Sequence, residues 1–182
     1  AIQQAVHHSK QLAYGLTLIE CLTTILLLST LTAMAIPSFE TLRAKQTVRQ
    51  AISTLQGSFA RMKIHAINRG TEVVLCGTSD HTHCQQNWTT GFMSFEDTNH
   101  NRTRDANETL LEYHQPLQDN QGFQLHSCSR RYFRTSGAGP LASIAGRLAI
   151  VPPNRHAQLT QHIVVSRIGR TRIDPHPAQP NC

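Results

Sequence analysis

Leu16 to Ile36 is an apolar stretch of 21 residues whose only charge is Glu20. As a helix rising about 1.5 Å per residue it would extend roughly 30 Å, the hydrocarbon thickness of a bilayer. Beyond Pro37 the pattern changes. Val48, Ala51, Ile52, Leu55, Phe59, Met62, Ala66 and Ile67 recur at three- and four-residue steps, with Arg43, Lys45, Arg49, Arg61 and Lys63 between them, as in an amphipathic helix. Asn68-Arg69-Gly70 then supplies a stop. The pattern predicts one long helix from 16 to about 68, kinked at Pro37, which lacks a backbone donor. After it come short runs that read as strands, at 71–76, 91–95, 109–113, 122–126, 131–135, 147–151 and 163–168, separated by Gly, Pro, Asn and Asp clusters. Such spacing indicates a mainly antiparallel β region. The fold class is therefore α+β, organised as a leader (1–15), an apolar helix (16–36), its amphipathic continuation (37–69) and a β-rich head (70–182).

Composition narrows the class. With 39% hydrophobic and 15% charged residues the chain is neither disordered nor wholly membrane-embedded. Its net charge of +6 makes polyanions plausible partners. Only Lys10, Lys45 and Lys63 are lysine among 17 basic residues, and the guanidinium fork of the rest can meet phosphate with two hydrogen bonds. No nucleophile elbow, metal cluster of standard spacing or phosphate loop is present, so neither an enzyme nor a cofactor is expected.

The polar leader before Leu16 suggests a signal peptide, but the apolar run is too long for one and no small-x-small cleavage site follows it. Instead Gly15 precedes Leu16-Thr17-Leu18-Ile19-Glu20, and the apolar run closes on Ala35-Ile36-Pro37. These residues resemble the N-terminus of a type IV prepilin. The resemblance implies that a prepilin peptidase cuts between Gly15 and Leu16 and that the new N-terminus is methylated. It also implies that Glu20 meets the N-terminal amine of a neighbouring pilin, which would give a carboxylate in an apolar helix a purpose. The chain would sit in the inner membrane as a single span with its head in the periplasm, then join other pilins through this helix in an extracellular pilus.

Disulfides persist outside the cytoplasm. Cys21 lies within the apolar helix and reads as a free thiol. The remaining four cysteines allow three connectivities. Cys76 and Cys84 flank a short polar loop and are the first choice, which leaves Cys128 and Cys182 by elimination. His81 and His83 beside Cys84 invite a zinc reading with Cys76, but an oxidising compartment favours the bridge.

Charge is unevenly spread. Residues 91–121 hold six acids against Arg102 and Arg104, whereas 122–182 hold eight Arg against Asp174. Within the acidic part, Asp97, Asn99, Asn101, Asp105 and Glu108 follow the ligand spacing of a calcium loop, but Arg102 occupies the place where that loop needs Gly. An Asx-rich hairpin loop whose side chains cap backbone amides is the preferred reading. In the basic part, Ile163 to Ile173 reads as a β segment. If it is extended, alternation puts Arg170 and Arg172 on one face about 7 Å apart, near the spacing of successive phosphates on a nucleic-acid strand. Arg130, Arg131, Arg134, Arg147, Arg155 and Arg167 are candidates to extend the patch. The bland alternative is a solvated edge strand whose charges discourage aggregation.

Trp88-Thr89-Thr90-Gly91-Phe92, the Asp97–Glu108 loop and a terminal Val-Ser…Gly-Arg-x-Arg resemble the FimT/GspH subgroup of minor pilins and pseudopilins. That resemblance implies a type IV pilin fold, with two β-sheets packed on the long helix. For FimT-type members it implies binding of double-stranded DNA for natural transformation through the residues matching Gly-Arg-x-Arg, here Gly169, Arg170, Thr171 and Arg172, with Arg167 beside them. The alternative is a GspH-type pseudopilin of a type II secretion system, with the same fold and a protein-binding role.

Overall fold

The computed structural model describes residues 15, 17–115, 123–128, 130–137, 145–152 and 158–174, excepting the side chains of 34–38. Among these residues one α-helix, α1 (Leu18–Arg69), precedes eight strands: β1 (Val73–Gly77), β2 (Phe92–Glu96), β3 (Leu110–His114), β4 (Gln124–Ser127), β5 (Tyr132–Thr135), β6 (Gly146–Val151), β7 (Gln161–Val165) and β8 (Thr171–Asp174). The chain divides into two compact units, Ala1–Glu40 and Thr41–Cys182.

In the first unit α1 begins with a cap. The Glu20 amide donates to both the carbonyl and the hydroxyl oxygen of Thr17, at 3.1 and 3.3 Å. Thr17 is thus the N-cap and Glu20 stands three residues on, the Thr-x-x-Glu arrangement of a capping box, with a carboxylate in the first turn where the helix dipole favours it. Leu18, Ile19, Leu22 and Ile25–Leu28 are all more than half exposed. Among the described residues no helix is long and apolar enough to cross a membrane; Leu16 and the side chains of 34–38, which complete the 16–36 run, lie outside them.

The second unit is built on the remainder of α1. Val48, Ala51, Ile52, Leu55, Phe59, Met62 and Ala66 are buried together, as the three- and four-residue spacing predicts. Ile67, expected on that face, is 53% exposed, and Ala44 instead extends the buried stripe by a turn at its other end. The helix stops where Gly70 takes a positive φ of 68° and its amide reaches the Ala66 carbonyl at 2.9 Å, a left-handed C-terminal cap. Gly137 packs so closely there that a Cβ on it would lie 2.4 Å from the Gly70 backbone.

Two antiparallel four-stranded sheets complete this unit, in the orders β3-β2-β1-β5 and β4-β6-β7-β8. Their inner faces supply Val73, Leu75 and Phe133 from the first sheet and Leu125, Leu148, Ile150, Ile163 and Val165 from the second, all packed with the helix. Trp88 joins the two sheets. It is fully buried, stacks on Phe92, meets Phe133 edge-on, and donates its amide to Leu125 at 2.8 Å. A second cluster, Val74, Cys76, Met93 and Phe95, lies on the other face of the first sheet.

The expected strands appear with ends shifted by a few residues, save the last. Ile163–Ile173, expected as one β segment, is a hairpin. β7 ends at Val165, the chain turns over Arg167, Ile168 and Gly169, and β8 returns beside it. The reason is local: the Gly169 amide bonds the Ser166 carbonyl at 2.9 Å and the Ser166 amide bonds the Arg170 carbonyl at 2.9 Å. Gly169 takes φ 72°, as the last residue of a three-residue hairpin loop does.

Candidate functional site

The β7–β8 hairpin presents the arginines singled out in the sequence. Arg167 is exposed on the turn, and Arg170 and Arg172 are exposed along the returning arm. Ser166 braces the turn a third time, accepting the Arg170 amide on its hydroxyl oxygen at 3.1 Å. Helix α1 holds it from the side, where the Lys63 ammonium donates to the Ile168 carbonyl at 3.2 Å. Gly169 thus serves the turn itself, and Thr171 pairs with Val165.

Strand register determines which other charges share the face. Arg172 pairs with Val164, and Val164 pairs with Arg147 of β6. Directly paired residues point to the same side of a sheet, so Arg147, Val164 and Arg172 form one row, with the two arginines roughly 10 Å apart across two strand spacings. Arg170 lies two residues before Arg172 and continues the face. Arg147 is partly anchored, its Nη2 3.6 Å from Asp174 Oδ2.

The other candidates separate. Arg134 belongs to β5 in the first sheet and donates to Glu72 Oε2 at 2.9 Å, against a carboxylate only 5% exposed. Arg130 and Arg131 are exposed after β4, at the end of the second sheet opposite β8. Arg155 lies outside the described residues.

Next to the arginine row stand His126, Ala149, His162 and Asp174. His162 is fully buried and neither of its ring nitrogens has a hydrogen-bond partner among the described residues. Burial pushes its pKa down, and the Arg147 charge adds to this against the opposing pull of Asp174. Burial likewise lowers His126. The positive charge of this face comes from arginine, then, and not from histidine.

Cys76 and Cys84 form a disulfide with Cα atoms 5.4 Å apart, and Cys21 is a free thiol. Cys182, proposed as partner of Cys128, lies outside the described residues, as does Leu16, whereas Gly15 and Glu20 are exposed. His83 Nδ1 lies 2.7 Å from Asp80 Oδ2, and His81 stacks on Tyr113.

In the acidic loop, Asp97 accepts the amides of Asn101 and Arg102 at 3.1 and 3.0 Å. Glu108 accepts those of Thr98 and Asp105 at 2.8 and 3.1 Å. Asp105 gathers the side-chain amides of Asn99 and Asn101. These oxygens cap the loop's own donors, the Asx arrangement. Burial raises the Asp97 pKa, opposed by the Arg102 amide. Among the described residues no group of three or more His, Cys, Asp or Glu is arranged to hold a metal ion.

Residues 51–169, more than half of the chain, match the family model described as the type II transport protein GspH. The chain belongs to the GspH family. Two crystal forms of the type IV minor pilin FimU from Pseudomonas aeruginosa PAO1 share its fold, with TM-scores of 0.52 and 0.54 at 14% and 13% identity. Each comparison covers 70% of this chain, and 92% and 87% of the respective FimU chain. No curated protein matches. The α+β architecture is that of a type IV pilin, and this GspH-family chain is a member of the minor pilin and pseudopilin group.

Proposed function

We propose that this GspH-family chain is a minor type IV pilin that binds extracellular double-stranded DNA for uptake in natural transformation. The observation that carries the reading is the register that sets Arg147 and Arg172 in one row, with Arg170 on the same face and Arg167 on the turn beside them. Guanidinium groups at such spacings suit consecutive phosphates and read no base edge, so binding is independent of sequence and weakens with salt. Several subunits acting together turn a weak contact into retention.

In this reading prepilin peptidase cuts between Gly15 and Leu16, and the new N-terminus is methylated. The 16–36 helix holds the protein in the inner membrane with its head in the periplasm. Glu20 then meets a neighbouring pilin as the subunit enters the pilus. Gly15→Val leaves the precursor uncut, read as an unchanged mass on membrane extracts; normal processing of that variant would refute the assignment.

DNA binding is tested by titrating duplex DNA with the full chain in detergent over a range of salt, beside Arg170→Gln/Arg172→Gln. The variant is expected to bind more weakly, with a salt slope shallower by about 0.9 for each lost phosphate contact. Equal binding by the two proteins would instead favour a structural pseudopilin of a type II secretion system, a reading supported by the description of the matching family.

A further inference from the structure

The second sheet has another side. β8 is its last strand, and hairpin register shows which of its backbone groups are unused. Ser166 and Arg170 are joined by a backbone hydrogen bond at the turn. In an antiparallel pair, hydrogen-bonded and non-hydrogen-bonded positions alternate. Arg172 and Asp174 therefore direct their N–H and C=O groups toward β7, while Thr171 and Ile173 direct theirs outward to the open edge. Thr171 and Ile173 have no hydrogen-bond partner beyond their own sheet among the described residues.

The side chain of Ile173, on the face opposite Arg172, lines a groove of about 330 Å³ between β8 and α1. Val48 and Ile52 of α1 form its floor with Leu159, and Lys45 and Arg49 stand on its rim. Ile173 itself is 43% exposed. Among the described residues neither Lys45 nor Arg49 pairs with an acid and no acid lines the groove. A strand edge, an apolar trough beside it and two cations on its rim thus coincide.

The geometry points to a docking site for an extended segment of a partner protein that carries apolar and acidic residues two positions apart, on one face of the strand. The segment adds as a strand beside β8 and takes main-chain hydrogen bonds from Thr171 and Ile173. It sets its apolar side chains against Val48, Ile52, Leu159 and Ile173, and its carboxylates against Lys45 and Arg49. This is recognition by strand addition, in which the edge provides affinity and alternate side-chain pockets provide specificity. A peptide fits better than a nucleic acid because the trough between the two cations is apolar, and only a peptide brings aliphatic side chains to it together with carboxylates for the rim. The surface lies on the opposite face of the sheet from the Arg170–Arg172 row and does not depend on that row binding DNA.

The probe is a labelled synthetic Glu-Val peptide with Glu and Val at every second position and Ser between them, titrated into the full chain in detergent and read by fluorescence anisotropy beside a Lys-Val peptide with Lys in place of each Glu. The Glu-Val peptide is expected to bind and the Lys-Val peptide not to. Lys45→Glu/Arg49→Glu should weaken binding about tenfold or more, since it turns attraction into like-charge repulsion. Ile173→Pro, which removes an outward donor at an edge where proline is tolerated, should weaken it as well; unchanged melting of Lys45→Glu/Arg49→Glu provides the control for folding. The inference is overturned if neither peptide binds, if both bind alike, or if the rim variant binds undiminished. It is also overturned if that variant loses duplex DNA as severely as Arg170→Gln/Arg172→Gln, which would make the groove part of a nucleic-acid face. A chain that is dimeric in detergent and becomes monomeric on Lys45→Glu/Arg49→Glu would overturn it too, because the occupant would then be a second copy.

Discussion

Arg147 and Arg172 stand in one row of the second sheet, on either side of Val164, although 24 residues of sequence separate them. If the row meets phosphates, Arg147→Gln should weaken duplex binding two- to tenfold and lower the salt slope by about 0.9. Arg134→Gln provides the contrast. Its guanidinium serves Glu72, so the slope should stay unchanged while stability falls by about 2–3 kcal/mol, because a buried carboxylate loses its main partner. Salt titrations and urea unfolding of the two variants separate these roles.

Gly169 bears on the same face through the backbone. Its φ of 72° costs a residue with a Cβ about 1–2 kcal/mol. Gly169→Val should therefore lower stability by about that much and weaken DNA binding, because the turn no longer delivers Arg170 to the face. Gly169→Asn, which tolerates the left-handed region better, should retain most of both. Chemical denaturation and anisotropy titrations on the two variants check this.

Acid should loosen the helix from the first sheet. Glu96 is held below the usual carboxylate range chiefly by its hydrogen bond to His65 on α1. Glu112 is pushed up by burial but pulled further down by Arg61 and Ser58 of the same helix, and its net shift is downward. A carboxylate whose folded pKa is depressed contributes stability that is present above its unfolded pKa, about 4.3, and lost as pH falls through the folded value. Stability should therefore drop below pH 4.3. Asp97, raised by burial, acts in the opposite direction, so the test is comparative: urea midpoints of Glu96→Gln and Glu112→Gln should fall less steeply with acid than those of the unaltered chain.

The Cys76–Cys84 bridge closes a loop with a sequence separation of 8, for which loss of chain entropy in the unfolded state predicts roughly 2–3 kcal/mol. Cys76→Ser/Cys84→Ser should melt correspondingly lower. A reductant that reaches this bridge should bring the unaltered chain toward the variant's melting temperature.

How much of this was legible depended on the distance over which each feature is encoded. Leu55, Phe59, Met62 and Ala66 announce the buried helix face because their spacing is local, and Asn68-Arg69-Gly70 announces its end for the same reason. Cys76 and Cys84 are near neighbours and could be paired by inspection. Pairing across the sheets is different: nothing within β5 says that it joins β1 and leaves β4 to β6. Arg134 and Arg147 are accordingly alike as sequence, yet one is neutralised by Glu72 and the other stands beside Arg172. The hairpin at Ser166–Arg170 is not legible as a separate element, although Gly169 carries its signal, because the apolar and arginine alternation on either side reads as unbroken.

Trp88 is the chain's single tryptophan, and its indole lies where the two sheets meet. Its emission is consequently an unlabelled, one-position reporter of whether the sheets stay closed. Ligands that occupy only the outer arginines should leave the spectrum unshifted. Any event that parts the sheets, whether assembly, reduction or acid, should move it to the red as water reaches the ring.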